Sequence, residues 1–355
     1  MQPRVIRGPI DVLLVGDASS PHIRRLASSL SDADIRIALA TFEHGELAVP
    51  EMRLGDLPPA ADRRYLLAVP RLHQVVRRLR PRVVHAHYLS SYGLMAAIAL
   101  DGMRRGRRPR LVQSVWGTDV LVTAATWLRR RAAAYALRAA DVVTGDSVEL
   151  ETESRRIVAN LRWHRFVFGP PEHLFTRLGE RLPVIVSSRN LVPAMRVPQI
   201  VDAFLEAEAS PQFAAFRLMI CGEGPDLSLI AAGLAHPKVD YRGTLGEAEL
   251  HAELLSSSLF VSVPTTDGTS ASLLEAMAAG NLPIVNRLPA NLEWVGPEIG
   301  ELVSRDPSIP ELASAMVRAA TRPVDREAIR SAVAGVTWES EVASLISLYS
   351  RLARV

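Results

Sequence analysis

Short β-rich runs alternate with amphipathic helical stretches from Asp11 to Ser147, and the same rhythm restarts near residue 182. Strands separated by helices of this length cannot pair as hairpins. They form parallel sheets with helices on both faces. The first set reads as strands over Asp11–Asp17, Ile35–Thr41, Arg82–Tyr88, Arg110–Gly117 and Asp141–Ser147. Helices lie between them at Pro21–Leu30, Val69–Arg80, from about Tyr92, and from the Gly117 turn through Arg131. The second set has strands over Pro183–Asn190, Phe216–Pro225, Val239–Gly243, Leu259–Pro264 and Leu282–Asn286, with a helix at Pro198–Ala207.

The repeated rhythm and the length of 355 residues predict two domains. The boundary is expected in the charged, weakly periodic segment His173–Pro183, giving domains 1–178 and 179–337. The last helix, Trp338–Ala353, follows the second set and is expected to pack back on the first domain. In open parallel sheets, ligands bind outside the carboxyl ends of the strands. A cleft between two such sheets is therefore the default site.

The segment Val261–Val285, VSVPTTDGTSASLLEAMAAGNLPIV, carries the strongest chemical signal. A strand ends at Pro264, a polar loop containing Asp267 and Gly268 follows, and a helix opens near Ser270 and stops at Gly280. Free N–H groups of Ser270, Ala271 and Ser272, added to the helix dipole, suit a diphosphate. Asp267 stands eight positions before Glu275, so a loop carboxylate and a helix carboxylate can hold two ends of one ligand through its hydroxyls. The structural alternative is an N-cap Asp and a surface helical Glu.

Here the sequence resembles the retaining GT-B glycosyltransferases of family four, the glycosyl transferases group 1. These carry Glu–(seven residues)–Glu followed by Ala-Met-Ala-x-Gly-x-Pro-Val, against Asp267–(seven residues)–Glu275 and AMAAGNLPIV here. The likeness is good over about residues 183–303. It implies an α/β GT-B fold: two Rossmann-like domains whose parallel sheets face an interdomain cleft. The N-terminal domain would bind the acceptor and the C-terminal one a nucleotide-diphosphate sugar. Glu275 would bind the ribose and Asp267 the hydroxyls of the donor sugar, on a side chain one methylene shorter than the family's Glu. Arg189 falls on the family's pyrophosphate-clamping Arg. Arg196 is the nearest basic residue to the family's Lys, with a solvated surface Arg as the alternative. Gly222 and Gly224 of CGEGP match a Gly-x-Gly turn that lets backbone approach the nucleotide, although an ordinary tight turn reads the same way. Tyr241 or Arg242 would lie at the strand end that holds the base.

In the first domain, Asp17–Ser20 with His22, His85–His87 and Trp116–Asp119 are polar strand ends. VVHAHY resembles the family's His-x-His, and His87 is the better placed to face the cleft. SVWGTD resembles the family's His-Gly-x-Asp, with Trp116 where the His is expected. His87 and Asp119 then remain as ionisable candidates at the reaction centre, beside Arg189, Asp267 and Glu275. Asp17, His22, His87 and Trp116 would face the acceptor. Trp116 either packs at a strand end or stacks on an acceptor sugar ring. His85 and His87 share a strand face, yet no third ligand stands at metal spacing, and family members work without a catalytic metal. No metal and no cofactor are expected.

Cys221 is the only cysteine, which excludes an internal disulfide and fits a reducing cytoplasm. No apolar run approaches the roughly 18 residues that span a bilayer, and the N-terminus lacks a signal-peptide pattern. Net charge is +3, with Lys238 the only lysine. A GC-rich genome accounts for such arginine usage. The clusters Arg104, Arg105, Arg107, Arg108, Arg110 and Arg129–Arg131 also leave contact with an anionic membrane surface open. They lack the interleaved aromatics of a nucleic-acid platform, so no nucleic-acid partner is expected.

The activity implied is transfer of a sugar, with retention, to a glycan or lipid-linked saccharide of the cell envelope. The alternatives are a catalytically weakened paralogue that binds nucleotide sugar or glycan, motivated by Trp116, Asp267 and the missing Lys, and a sugar-nucleotide epimerase.

Overall fold

The computed structural model describes residues 10–354 apart from 46, 56–63, 105, 107, 123–125 and 176–179. Thirteen strands form two wholly parallel sheets among the described residues. The first contains β1 (Val12–Val15), β2 (Ile37–Thr41), β3 (Glu51–Arg53), β4 (Val83–His87), β5 (Arg110–Ser114), β6 (Val142–Gly145) and β7 (Trp163–Arg165), in the order β3-β2-β1-β4-β5-β6-β7. The second contains β8 (Leu182–Ser188), β9 (Arg217–Cys221), β10 (Val239–Gly243), β11 (Ser257–Ser262), β12 (Leu282–Asn286) and β13 (Glu301–Val303), in the order β10-β9-β8-β11-β12-β13.

Both orders reverse direction once, between β1 and β4 and between β8 and β11. At such a switch point the loops leaving two adjacent strands diverge to opposite faces and leave a crevice. The central strands are apolar without alternation because helices cover both their faces. β1 is buried at all four positions. The helices show the complementary pattern. Val69–Leu79 buries Leu72, Val75, Val76 and Leu79, one stripe at helical spacing, and ends where Arg80 turns left-handed at φ 48°.

The chain separates into two compact units, residues 1–166 with 340–355, and residues 167–339. The expected boundary at 178/179 falls among residues outside the described set, and the division lies earlier. Val167 and Leu174 are fully buried in the second unit's core, so apolar burial assigns this stretch to that unit. Phe204 and Phe213 are fully buried there too, each contributing roughly 1.5–3 kcal/mol. Residues 340–355 group with the first unit. Tyr349, on the helix Trp338–Ala353, donates or accepts a 2.6 Å hydrogen bond at His85 Nδ1. The single helix expected from Gly117 through Arg131 is instead two, Thr118–Leu121 and Trp127–Ala139.

Candidate functional site

At the switch point of the second sheet, β8 ends next to Arg189 and β11 leads into the Asp267 loop. Ser270 caps the helix Ala271–Ala278, its hydroxyl accepting from the Leu273 N–H at 3.4 Å. Arg189 ties these pieces together. One guanidinium nitrogen donates to Asp267 Oδ2 at 2.5 Å. The other donates to Ser270 Oγ at 2.5 Å and Ser272 Oγ at 3.2 Å. Met195 Sδ lies 2.8 Å from the first nitrogen and supports the side chain from below. Gly268, Thr269 and Ser270 are buried, while Ala271 and Ser272 are half-buried. Glu275 lies one turn further along the helix, 9% exposed, with Oε1 3.7 Å from His251 Nε2. Arg189, Asp267, Ser270 and Ser272 thus form one hydrogen-bonded group, and Glu275 is a buried residue rather than a surface helical Glu.

The other expected donor-side residues are arranged differently. Gly222 has φ 137°, and a Cβ there would stand 2.4 Å from the Arg189 carbonyl oxygen. A Cβ on Gly224 would stand 2.2 Å from the Leu191 carbonyl oxygen. The Leu191 N–H donates to Glu223 O at 2.9 Å across the same contact. These glycines let the turn after β9 close on the turn after β8, so the neighbour they admit is the backbone of Arg189–Leu191. Arg196 caps the helix Val197–Ala207 in a left-handed conformation, φ 52°, and its guanidinium reaches Asp306 and the Arg305 carbonyl. It therefore joins a different ion pair from Arg189. Tyr241 is half-buried against the core, and Arg242 is exposed and paired with Glu253 at 3.1 Å.

In the first unit a cavity of about 690 Å³ opens at the β1/β4 switch point. Asp17, Ser20, His87, Tyr88, Trp116 and Asp119 line it, with Tyr65, Ser90, Ser91, Tyr92 and Arg129 and the apolar Ile23, Leu94, Ala132 and Ala133 making up the rest of the wall. Trp116 meets the rings of His22 and His87 edge-on, with centroids 5.7 and 5.8 Å away. His87 is 1% exposed, and neither ring nitrogen has a hydrogen-bond partner among the described residues. Burial pushes its pKa down to about 3, so the imidazole is neutral. His85, directly beneath with ring centroids 4.1 Å apart, is fully satisfied by Tyr349 and by Ser114 Oγ at 2.7 Å. Tyr88 follows at φ 74°, a conformation rarely adopted outside glycine, and a π-helical turn over Leu89–Gly93 bends the chain around the cavity.

Asp119 is the other ionisable residue expected at the reaction centre of this unit. It is fully buried and accepts from the backbone N–H of Leu89 at 2.8 Å and of Trp116 at 3.0 Å. Burial raises its pKa to about 6 against the opposing pull of those amides. Its carboxylate fixes the turn that carries Trp116, which makes it a structural anchor of the cavity. Sequence reasoning did not place Tyr65, Tyr92 and Arg129 in the site: Tyr65 and Arg129 lie on helices distant from β4 in the chain, and Tyr92 reads only as the start of the helix after β4. Among the described residues, no three of His, Cys, Asp and Glu lie close enough to cage a metal ion.

The arginine clusters divide in the same manner. Arg108 donates to the Ala139 carbonyl and Arg110 pairs with Asp141 at 3.0 Å, while Arg105 and Arg107 lie outside the described residues. Arg129, Arg130 and Arg131 are exposed beside Trp127 and Leu128, which are 73% and 63% exposed. No described helix is long and apolar enough to cross a membrane.

Residues 11–147 match the family model described as glycosyl transferase 4-like, and residues 183–322 match glycosyl transferases group 1. A curated relative, N-acetyl-alpha-D-glucosaminyl L-malate synthase of Bacillus anthracis, is 24% identical over 250 residues. That match covers 66% of this chain and 63% of the relative, somewhat under two thirds of its length. Among solved structures, sucrose-phosphate synthase of Thermosynechococcus elongatus superposes with a TM-score of 0.78 at 16% identity, covering 97% of this chain and 99% of that one. The Anabaena protein HepE in complex with UDP-glucose superposes with a TM-score of 0.66 at 16% identity, covering 92% and 98%. With a family model on each half and a doubly parallel α/β architecture shared with these structures, the chain belongs to the group 1 glycosyltransferases of the GT-B fold.

Proposed function

We propose that this protein is a glycosyltransferase that takes a sugar from a nucleotide-diphosphate donor and delivers it, with retention and without a metal, to a glycan or lipid-linked saccharide. One observation carries the donor side. A single guanidinium, that of Arg189, is bonded at once to Asp267 and to both serines at a helix N-terminus, on the switch point of a parallel sheet. A diphosphate competes for the same donors. As its oxygens take Arg189 and the helix amides, Asp267 is released to accept hydroxyls of the transferred sugar. Glu275, on the same helix, accepts the ribose diol. Charge that builds on the departing diphosphate meets the Arg189 cation and the dipole of Ala271–Ala278, which stabilises the transition state more than the bound donor.

The acceptor belongs in the first unit's cavity. Its lining is hydroxyl-rich, with Trp116 as an apolar plate and His87 offering a buried ring with unused nitrogens. Asp17 and His22 stand at the same end of the sheet and complete the polar wall around Trp116. Arg129 lines this cavity, and beside it exposed Trp127 and Leu128 offer apolar groups suited to a lipid headgroup layer. We place the protein in the cytoplasm, where nucleotide sugars are made, resting against an anionic inner membrane face.

A thermal-shift screen against UDP-, GDP-, ADP-, TDP- and CMP-sugars tests the donor, because a ligand that binds only the folded state raises Tm. UDP-glucose heads the panel because HepE, which is similar in fold, binds it. Glu275→Ala should lower kcat/KM for the best donor about 100-fold with the circular dichroism spectrum unchanged. Wild-type turnover in that variant would remove the reading. Proton NMR of the product's anomeric signal checks retention, and turnover in EDTA checks independence from metal. A second reading, a paralogue that binds nucleotide sugar without turnover, gains weight from Trp116 and from the structural use of Asp119. Donor binding without transfer or hydrolysis in purified protein would establish it.

A further inference from the structure

Behind Glu275 runs a chain of two histidines that the reaction proposed above does not use. His251 lies on the helix Glu247–Ser256, 3% exposed, among the side chains that pack this helix on Ala271–Ala278. Its Nε2 faces Glu275 Oε1 at 3.7 Å, an ion-pair distance that is long for a hydrogen bond. That Nε2 has no hydrogen-bond partner among the described residues. On the other side of the ring, Nδ1 meets His173 Nε2 at 2.9 Å, with the rings tilted 54°. His173 comes from the short helical turn Glu172–Phe175. Three residues far apart in sequence therefore line up as His173–His251–Glu275.

We infer that His251 is a positioning residue that orients the Glu275 carboxylate for the ribose diol of the donor, and that His173 fixes the tautomer His251 needs. This rests on the reading of Glu275 as a ribose ligand. A neutral imidazole carries one proton. When His173 Nε2–H donates to His251 Nδ1, the proton of His251 must sit on Nε2, directed at Glu275 Oε1. A glutamate has three side-chain torsions and, left alone, would present its two oxygens in many directions. An N–H aimed at Oε1 from a dry position selects one of them. A carboxylate held in one orientation can then meet two vicinal hydroxyls. A leucine at position 251 would fill the same space without an N–H, so shape alone does not account for an imidazole with a desolvated nitrogen.

The inference predicts an effect on recognition of the ribose hydroxyls and not on affinity in general. The probes are UDP, GDP and ADP with their 2′,3′-dideoxy counterparts, titrated calorimetrically, and the tightest of the three is carried forward. The readout is the ratio of dideoxy to ribo Kd. We expect Glu275→Gln and His251→Leu each to lower that ratio about tenfold. The double variant should fall no further, because both act through one carboxylate. His251→Gln, whose amide can present an N–H near the position of Nε2, should restore most of it. His173→Phe, at an exposed position, should lower it about threefold and serves as the second variant if His251→Leu fails to fold. A folded His251→Leu with the wild-type ratio, or one that weakens ribo and dideoxy ligands equally, would overturn the inference while leaving Glu275 in place. A wild-type ratio in Glu275→Gln, or no binding of any of the three nucleotides, would overturn the donor-site reading and this inference with it.

Discussion

The two switch points of this protein differ in the group at their centre, an ion pair in one and a neutral imidazole in the other. In the second unit the crevice is closed by charge: Arg189 and Asp267 neutralise each other over a helix N-terminus. In the first unit hydroxyl groups outnumber the charged Asp17, Asp119 and Arg129 in the lining, and the central imidazole is held uncharged by burial. A site that receives a diphosphate needs a mobile cation, and the ion pair stores one without leaving it unpaired. A site that receives sugar hydroxyls needs hydrogen-bond donors and acceptors in number, which the serines, tyrosines and imidazole of the first crevice supply. On the donor and acceptor assignments proposed above, one fold used twice would offer an anion seat and a polyol seat at equivalent positions in the two sheets.

The strongest way to break this comparison is Arg189→Ala. It should lower kcat/KM for the donor about 1000-fold, because a cation aimed at the developing charge is lost and Asp267 is left unopposed. A tenfold loss or less, measured with saturating acceptor, would mean that the second crevice is not the anion seat. Next is Gly224→Ala, whose Cβ would run into the Leu191 carbonyl, a backbone group that has to shift. We expect about 2–3 kcal/mol of destabilisation by urea unfolding and a weakened donor site, since Leu191 belongs to the same turn after β8 as Arg189.

His87→Gln sharpens the other side of the comparison. His87 titrates at about 3 in the folded protein against 6.5 when unfolded. The stability from keeping it neutral is fully present above pH 6.5 and is lost as pH falls towards 3. The limiting slope is roughly 1.4 kcal/mol per pH unit. Replacing His87 should flatten the acid limb of stability against pH by about that amount, read from urea midpoints between pH 6.5 and 4.5. Asp119 acts with the opposite sign. Its pKa is raised from 3.8 to about 6, so its contribution is present below 3.8 and lost as pH rises through 6. An unchanged acid limb in His87→Gln would show that the ring is hydrated and not sealed. The smallest expected effect is that of Arg242→Ala, a surface residue paired with Glu253: donor KM should stay within about twofold.

Much of this was legible in the residues before any coordinates. β10, β12 and the helix Trp338–Ala353 run over the residues expected, because a short β-rich run between turns and an amphipathic period each show in the chain. β3, β7 and β13 were not anticipated: each has three residues, too few to show a period, and each is held by pairing with one neighbour. The Asp267–Glu275 segment could be read because its loop, cap, helix and Gly280 stop are contiguous.

What the sequence by itself determined is therefore everything local: the strand and helix alternation, the capped helix with its Glu, and the glycine turns as turns. Only the tertiary structure decided which distant groups meet. It gave Arg189 to Asp267 across 78 positions and Arg196 to Asp306 across 110. It set Gly222 and Gly224 against backbone, sank Asp119 among amides, and brought His173 to His251 across another 78 positions. Hydrogen bonds and ion pairs leave no periodic trace along the chain, because they depend on which loops the sheet order makes neighbours. Hydrophobic burial does leave one, since every turn of helix and every second strand residue must face the core or the solvent.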